Sequence, residues 1–449
     1  MGDTLRIALL VYRGNPHSGG QGVYTHHLSK QLAALGHHVE VFSGQPYPNL
    51  VPEVPLVKVP SLDLYRPDDP FHIPKLGEFR TGNDVLEFAI MCTAGFPEPR
   101  TFSRRVRRVL NARRDDFDVI HDNQCLGNGI LGLLHDGWPI VETLHHPITV
   151  DRRLELAQNP WTKRPIRQIT LRRWFGFLGM QCKVARQMPR IVTVSESSRR
   201  DITRDMGVPY ERMSIVPVGV DTDHFRPLPH IERVPGRIMT TASADVALKG
   251  LVPLLEALAK VRTERDAELV VVGKQRDGSS IPSVIDRLGL EGAVRFVSGV
   301  DPERMVELYA EASVAVVPSL YEGFSLPAIE AMACGVPLVA TTGGALPEVV
   351  GPDGVNALTV PPGDPGALAG AIGRMLDDPA LQTRLGAAGR AHVLDRFTWA
   401  EMARQTVEQY HLAIAEQRPQ SDFRALTPNS WASTHESQAG PAAVEEAGG

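Results

Sequence analysis

The chain has 449 residues, of which 43% are hydrophobic and 22% are charged, and its formal net charge is −5. A chain of this length is too long for one ordinary hydrophobic core and predicts two domains of roughly 200 residues each. The acidic balance is untypical of dedicated nucleic-acid binders, which usually carry a strong basic excess.

Cysteine content and the pattern of apolar residues indicate the cellular compartment of the protein. The four cysteines (Cys92, Cys125, Cys182 and Cys334) include no Cys-x-x-Cys pair. The sequence therefore predicts reduced thiols in a cytoplasmic protein rather than a disulfide or zinc framework. The start of the chain lacks a basic segment followed by a long apolar one, and no run approaches about 18 apolar residues, so we expect neither a signal peptide nor a membrane span.

Short apolar, β-branched segments alternate with helical patterns in both halves of the chain. In the first half these segments are residues 6–12, 38–43, 118–121, 139–144 and 190–194. In the second half they are residues 237–242, 268–273, 293–298, 314–318 and 337–341. The alternation predicts βαβ units with parallel sheets, buried on both faces because the segments lack a polar–apolar alternation.

The same pattern indicates the domain organisation. Residues 1–220 are predicted to form the first domain, with the proline-rich residues 44–100 as an insertion. Residues 221–395 form the predicted second domain, because the strand pattern stops and prolines occur near residues 219–229. A last helix is predicted over residues 396–416, and the Ser-, Pro- and Gly-rich residues 417–449 are predicted to be disordered.

A glycine-rich turn follows the first predicted strand, at Ser18-Gly-Gly-Gln-Gly22. Glycines between a strand and a helix let the backbone approach a ligand, and the helix N-terminus then favours an anionic group. A tight turn would need the same glycines without any ligand. The motif alone therefore leaves both interpretations open.

A lysine beside a glycine, Lys249-Gly250, follows the first predicted strand of the second domain. At the start of a helix, such a lysine can place a cation on a phosphate group. An exposed lysine of a helix start would show the same pattern, so the function of Lys249 stays open at this point.

Two carboxylates enclose a turn in the stretch Glu322-Gly-Phe-Ser-Leu-Pro-Ala-Ile-Glu330. Pro327 predicts a helix start, because proline is tolerated in the first turn, and leaves the N–H groups of residues 323–326 available to a ligand. A carboxylate can accept hydrogen bonds from two neighbouring hydroxyls, as on a sugar or ribose. The alternative is that Glu330 supports the helix start and Glu322 is a solvated turn residue.

These motifs together resemble retaining glycosyltransferase family 4, whose members have the GT-B fold. The resemblance covers residues 5–415, and its most specific element is the Glu322/Glu330 spacing followed by Gly343-Gly-Ala-Leu-Pro-Glu348. It implies an α/β protein of two Rossmann-like domains facing across a cleft, with the C-terminal helix crossing back to the first domain. Supporting motifs are the Gly19-Gly20 turn, Val141-x-Thr-x-His145, residues 191–195, Gly219-Val-Asp221 and residues 294–299.

The resemblance also implies roles for the matching residues. On the second domain, the donor-binding residues would be Lys249 for the diphosphate, Glu322 with Gly323 and the N–H groups of Phe324, Ser325 and Leu326 for the sugar, Glu330 for the ribose, and Gly299 and Val300 for the base. On the first domain, the backbone at Gly19 and Gly20 would meet the diphosphate. His145 would lie near the reacting carbon and the acceptor, so that Glu322, His145 and Lys249 form the expected catalytic set.

Three positions depart from the family pattern. Ser243 or Ala244 stands where an arginine usually supplies a second cation to the diphosphate, and Arg276 is a candidate replacement. Val218 replaces the usual Asn before Gly-Val-Asp, and Asn123 replaces the second histidine of Asp-x-x-His-x-His. We expect an intact fold with altered diphosphate contacts.

The resemblance implies transfer of a hexose from a nucleotide diphosphate sugar to a carbohydrate or lipid-linked hydroxyl, with retention and without a cofactor, metal or nucleic acid. Asp221-Thr-Asp223 matches a metal motif of another glycosyltransferase class, but its place between the domains indicates a chance match. A GT-B phosphorylase would need an aldehyde-binding lysine that we cannot identify. An epimerase or a non-catalytic sugar-nucleotide-binding protein remains the alternative.

Two basic stretches lie in the predicted first domain, at residues 100–114 and 151–190. The second contains Leu171-Arg-Arg-Trp-Phe-Gly-Phe177, and basic residues beside aromatic ones are typical of segments at an anionic membrane surface. A solvated helix with one buried apolar face shows the same composition. We therefore expect a cytoplasmic protein, with peripheral membrane contact as the alternative.

Overall fold

The computed structural model describes residues 4–15, 20–66, 69–162, 164–241, 246–274 and 279–425. Within these ranges the strands form a seven-stranded sheet, a six-stranded sheet and a small two-stranded hairpin. Both large sheets are parallel throughout. This is the two-domain α/β architecture that the alternation of strands and helices predicts.

The strands of the first half run from β1 to β9. Their bounds are β1 Arg6–Val11, β2 His38–Ser43, β3 Leu56–Lys58, β4 Tyr65–Arg66, β5 Asp69–Pro70, β6 Val119–Asn123, β7 Ile140–Thr143, β8 Ile191–Thr193 and β9 Met213–Ile215. The large sheet has the order β3-β2-β1-β6-β7-β8-β9, while β4 and β5 pair in the hairpin. All five residues of β6 are buried, as expected for a strand with helices on both faces.

Eight helices of the described chain accompany this sheet. They are α1 Gln21–Ala34, α2 Gly82–Cys92, α3 Glu98–Asn111, α4 Asn128–His135, α5 Thr149–Gln158, α6 Pro165–Trp174, α7 Leu178–Ala185 and α8 Glu196–Met206. Apolar residues of the helices and of both sheet faces form two buried clusters. The core of this domain therefore lies above and below its sheet.

The second half of the chain forms another parallel sheet, with six strands. They are β10 Val234–Thr241, β11 Glu268–Val272, β12 Val294–Val297, β13 Ala312–Val317, β14 Leu338–Thr341 and β15 Leu358–Val360, in the order β12-β11-β10-β13-β14-β15. The helices are α9 Leu251–Val261, α10 Ile281–Leu288, α11 Pro302–Glu311, α12 Leu326–Ala333, α13 Leu346–Val350, α14 Pro365–Asp377, α15 Pro379–Arg396 and α16 Trp399–Ala425. All six residues of β13 are buried.

The ten predicted strands are confirmed, with bounds that differ by a few residues. The short strands β3, β9 and β15 were not predicted, because three residues are too few for a recognisable pattern. Residues 44–100 also differ from a plain insertion: β3 adds to the edge of the main sheet, and α2 packs against α3.

The last helix crosses back to the first domain, as expected. Val220 pairs with Thr398, so the two connections between the domains run side by side. Helix α16 then packs against α1 and β7, and the Tyr410 hydroxyl lies 2.6 Å from Nδ1 of His121. The helix extends to Ala425 and so includes the first residues of the predicted tail; residues 426–449 lie outside the described residues.

Candidate functional site

A cavity of about 710 Å³ lies between the two domains. Its walls come from the loops that follow β1, β6 and β7 in the first domain and β10 and β13 in the second. Parallel sheets bind ligands outside the carboxyl ends of their strands, and here the carboxyl ends of both sheets border one space. The residues on these walls include the charged or polar Arg13, Gln124, His145, Asp151, Lys249 and Glu322.

Glu322 lies in the turn between β13 and α12 and is buried. Its Oε1 accepts hydrogen bonds from Nζ of Lys249 at 2.8 Å and from Oγ of Ser319 at 2.7 Å. The predicted sugar-binding carboxylate and the predicted diphosphate cation are therefore ion-paired with each other. A mostly buried carboxylate needs such a partner, and the pair places a basic and an acidic group side by side at the cavity wall.

The turn after Glu322 has the predicted geometry. Helix α12 begins at Leu326 with Pro327 in its first turn, and Gly323, Phe324 and Leu326 line the cavity. The side chain of Ser325 is fully buried, and its Oγ has no partner among the described residues. The N-terminal amides of α12 thus lie beside the cavity, where they suit hydroxyl or phosphate oxygens.

Glycine is required where this turn meets the next one. Gly344 has φ +64°, and a Cβ there would lie 2.2 Å from the carbonyl oxygen of Glu322. The carbonyl of Glu322 also accepts a hydrogen bond from the amide of Ala345 at 2.8 Å. The Gly343-Gly344 motif therefore supports the backbone that carries Glu322.

Direct contacts join the two domains at the edge of the cavity. The carbonyl of Gly323 accepts hydrogen bonds from Oγ of Ser195 at 2.6 Å and Oγ of Ser198 at 3.0 Å. This role of the two serines was not predicted: Ser195 directly follows the predicted strand 190–194, but nothing local shows that its partner lies 128 positions away.

A second contact involves a carboxylate at a helix N-terminus. The carboxylate of Glu348 accepts from the amides of Glu196 and Ser197 at 2.6 and 2.9 Å. These are the first residues of α8, so the negative charge lies where the helix dipole favours it. Glu348, from the motif after Glu330, therefore holds the second domain to α8 of the first.

His145 follows β7 and lies on the cavity wall. Its Nε2 lies 2.8 Å from Oδ1 of Asn123, and the ring meets the edge of Tyr24 at 4.6 Å between centroids. Burial, with a smaller contribution from His146, lowers the pKa of His145 to about 3. The imidazole is therefore neutral at physiological pH, which suits an acceptor of a hydrogen bond better than a source of positive charge.

Glu330 lies on α12 and is not among the residues that line the cavity, although Leu326 at the start of the same helix is. It accepts a hydrogen bond from the Tyr309 hydroxyl at 3.1 Å. Burial raises the pKa of Glu330 to about 7, while the bond from Tyr309 acts in the opposite direction. Gly299 and Val300 follow β12 at the carboxyl edge of the same sheet and likewise lie outside the cavity lining.

Some predicted residues cannot be placed. Gly20 lines the cavity with φ +73°, whereas its neighbour Gly19 lies outside the described residues. Ser243, Ala244 and Arg276 also lie outside the described residues. Among the described residues, Arg13 of the first domain is a further cation on the wall.

The Asp221-Thr-Asp223 motif serves the backbone. Oδ1 of Asp221 accepts from the amides of Asp223 and His224, both at 3.1 Å. Within the described residues, no group of three or more histidine, cysteine or acidic side chains is arranged for a metal ion. The interdomain position that indicated a chance match thus corresponds to a turn that the aspartate stabilises.

The two basic stretches differ in the structure. Arginines of the first pair within the chain: Arg105 contacts Asp84 and Glu87, and Arg107 contacts Asp136. The second stretch leaves Trp161, Ile166 and Ile169 exposed around α6. No helix in the described part of the chain is both long and apolar enough to cross a bilayer.

Two family models match the chain. A model described as Glycosyltransferase Family 4 matches residues 18–224, and a model described as Glycosyl transferases group 1 matches residues 235–378. The two matches follow one another along the chain, and each contains one of the two large sheets almost completely.

Curated relatives and solved structures agree with these models. The chain is 53% identical, over 92% of its length and 99% of the relative, to an MMP alpha-(1->4)-mannosyltransferase of Mycolicibacterium hassiacum. It is 30% identical, over 94% of its length and 96% of the relative, to D-inositol 3-phosphate glycosyltransferase 2 of Catenulispora acidiphila. A sucrose-phosphate synthase structure from Thermosynechococcus elongatus covers 92% of this chain and 100% of its own, with a TM-score of 0.67 and 25% identity.

Proposed function

This chain belongs to glycosyltransferase family 4, and we propose that it transfers a mannosyl residue from a nucleoside diphosphate sugar to a hydroxyl of a carbohydrate acceptor. The family and the GT-B fold confirm the two main predictions from the sequence. Transferase names on relatives that match nearly the whole chain favour an enzyme over a non-catalytic sugar-nucleotide-binding protein. The mannosyl group and the α-(1→4) linkage are taken from the name of the 53% identical relative.

The observation that carries the proposal is the Lys249–Glu322 pair on the wall of the interdomain cavity. A nucleoside diphosphate sugar offers a phosphate charge next to sugar hydroxyls, and the pair offers a cation next to a carboxylate, 2.8 Å apart. Because Lys donates and Glu accepts, the two partners match the two halves of the donor. The cavity of about 710 Å³ has room for the sugar and an acceptor residue.

The states of Glu322 and His145 indicate how the transfer proceeds. Glu322 already accepts two hydrogen bonds on one oxygen, and His145 is neutral. We infer front-side attack: the acceptor oxygen bonds to the anomeric carbon as the bond to the diphosphate breaks, and a phosphate oxygen of the leaving group takes the acceptor proton. His145 orients the acceptor, and the product keeps the donor configuration.

We also expect the two domains to close over the donor and the reaction to proceed without a metal ion. Contacts of Gly323 and Glu348 with the first domain hold the cleft closed, which excludes water from the donor. Lys249 and the amides at the start of α12 supply positive charge to the leaving diphosphate. A chelator should then leave the rate unchanged.

A donor screen followed by proton NMR of the product tests this function. Purified protein is given GDP-mannose, GDP-glucose, UDP-glucose and UDP-N-acetylglucosamine, each with a short α-mannoside as acceptor. Transfer from GDP-mannose with an α-configured product is expected. A β-configured product would contradict retention, and transfer only from another donor would contradict the mannosyl assignment.

A second candidate function is transfer to an acceptor at a membrane surface, which the exposed apolar residues around α6 favour. Trp161 and Ile166 are 49% and 79% exposed, and the Arg172 guanidinium lies 4.8 Å from the Trp161 ring centroid. Exposed apolar groups among arginines suit an anionic bilayer surface. Sedimentation with vesicles containing phosphatidylglycerol, compared with neutral vesicles, tests it; equal recovery in both pellets would contradict it.

A further inference from the structure

The segment that follows β6 has an unusual backbone. Gln124 and Leu126 have φ values of +56° and +50°, although neither is glycine. Residues in this left-handed region persist where surrounding contacts fix them, and they concentrate at functional sites. Here Oδ2 of Asp122 accepts from the amide of Leu126 at 2.9 Å, and Nε2 of Gln181 donates to the carbonyl of Cys125 at 3.1 Å. The strained turn is therefore held from both sides.

The strained backbone directs the Gln124 side chain towards the loop after β7. Its Oε1 accepts from the amide of His145, and its Nε2 donates to the carbonyl of His146, both at 2.9 Å. The primary amide thus takes the place of a peptide group and continues the pairing of β6 with β7 beyond Thr143. The two backbone bonds fix the position of His145 relative to the cavity.

Asn123 fixes the ring of His145. Nδ2 of Asn123 lies 3.3 Å from the carbonyl of Gln21 and 3.2 Å from Oγ1 of Thr25. A carbonyl can only accept, so the NH2 group faces α1 and Oδ1 faces His145. Nε2 of His145, 2.8 Å from that oxygen, must then carry the ring proton.

The surroundings of the ring keep it in this state. Tyr24 from α1 meets His145 edge-on, His121 from β6 lies on the same side of the sheet as a second neutral imidazole, and His146 is its chain neighbour. His146 in turn lies 3.0 Å from a carboxylate oxygen of Asp151. Among the described residues, the ring of His145 has the amide of Asn123 and the ring of Tyr24 as partners, neither of which is a carboxylate that would favour the imidazolium.

We propose that Asn123 and Gln124 are positioning residues that hold His145 as the Nε2–H tautomer, with Nδ1 as the hydrogen-bond acceptor for a hydroxyl of the incoming acceptor sugar next to the one that attacks. The proposal deepens the proposed transfer reaction and rests on it for the identity of that hydroxyl. Its structural part, the tautomer, does not depend on any substrate. The departure of residue 123 from the family histidine becomes meaningful, because an amide with a defined orientation selects one tautomer.

The tautomer is read from long-range 1H–15N NMR of the imidazole in the free, full-length protein. The His145 signals are identified by their loss in His145→Gln. We expect the Nε2–H pattern and no titration between pH 5 and pH 8 in the parent. In Asn123→Asp, a carboxylate beside Nε2 should bring the titration of His145 into this window. A parent ring with its proton on Nδ1, or one that titrates near pH 6.5, would overturn the proposal.

Kinetics test the positioning role. Gln124→Met removes both hydrogen bonds and should lower kcat about tenfold, with the donor KM nearly unchanged. Gln124→Glu keeps an acceptor for the amide of His145 and should recover part of the rate. The matched control is Gln382→Met, since Gln382 makes one backbone bond in the second domain. An unchanged kcat in both Gln124 variants would overturn the role. If the parent transfers no sugar from any donor, the proposed function fails, and the NMR result alone then decides the tautomer.

Discussion

The ammonium group of Lys249 lies 2.8 Å from Oε1 of Glu322, across a gap of 73 positions in the sequence. The side chain of Glu322 is 9% exposed and that of Lys249 is 33% exposed, so water screens the pair only in part. A donor that enters the cavity offers new partners to both groups: phosphate to the lysine and hydroxyls to the carboxylate. Each partner of the ion pair can thus exchange the other for a matching group of the donor.

We expect Lys249→Ala to act on the rate more than on donor binding. Negative charge on the leaving diphosphate grows in the transition state, so the lost cation matters most there. A fall of kcat by about 100-fold, with a smaller change in donor KM, is expected in steady-state assays. Lys260→Ala is the control, because Lys260 is an exposed lysine of α9. A maximal rate equal to that of the parent would remove Lys249 from the catalytic set.

Substitutions of Glu322 and of Glu330 should have different effects on the affinity for the nucleoside diphosphate. Glu322→Gln is expected to abolish transfer and leave the affinity for the free nucleoside diphosphate nearly unchanged, since the carboxylate is assigned to the sugar. Glu330→Ala should weaken that affinity by about tenfold to 100-fold, the cost of a hydrogen bond to a charged group. Calorimetric titration measures both, with Glu303→Gln as the control, because Glu303 is an exposed residue of α11. Equal affinity in all three variants would contradict the assignment of Glu330 to the ribose.

Glu330 should also make folding stability depend on pH. In the folded protein it holds its proton up to a pKa of about 7, against 4.5 for the ordinary group. Between these two pH values the carboxyl group of Glu330 is ionised in the unfolded chain but protonated in the folded protein. The free energy of unfolding therefore falls as the pH rises through this window, and the full loss is present above it. Glu330→Gln should remove about 3 kcal/mol of this cost. Urea unfolding at pH 5 and pH 8 checks it: a pH dependence that is the same in the variant and the parent would contradict the assignment.

Glu348 should control closure of the cleft. Its carboxylate accepts from two amides at the start of α8, and Glu348→Ala leaves those amides to water. We expect a larger radius of gyration in small-angle X-ray scattering and a rate lower by about tenfold, while Glu348→Gln keeps an acceptor and lies between. Glu291→Gln, an exposed substitution elsewhere in the second domain, is the control. A parent-like radius and rate in Glu348→Ala would show that closure does not depend on this contact.

Local sequence patterns predicted most of the strands and helices. The buried strands, exemplified by β6 and β13, appeared as apolar runs because both faces of a parallel sheet are covered. The start of α12 followed from Pro327, whose restricted backbone suits the first turn of a helix. Three-residue strands such as β9 stayed hidden, since they are too short to show a period and depend on the neighbour they pair with.

The sequence by itself determined the family, the two-domain α/β plan and the turn that carries Glu322, because glycine, proline and apolar spacing act within a few residues. Only the tertiary structure decided the partners of the site: Lys249 with Glu322, Asn123 with His145, and Ser195 with Gly323 lie 73, 22 and 128 positions apart. Such pairs form only when two sheets bring their carboxyl edges to one cleft. Hydrogen bonds require contact within about 3 Å, and which groups come that close is set by the packing of whole domains rather than by any local pattern.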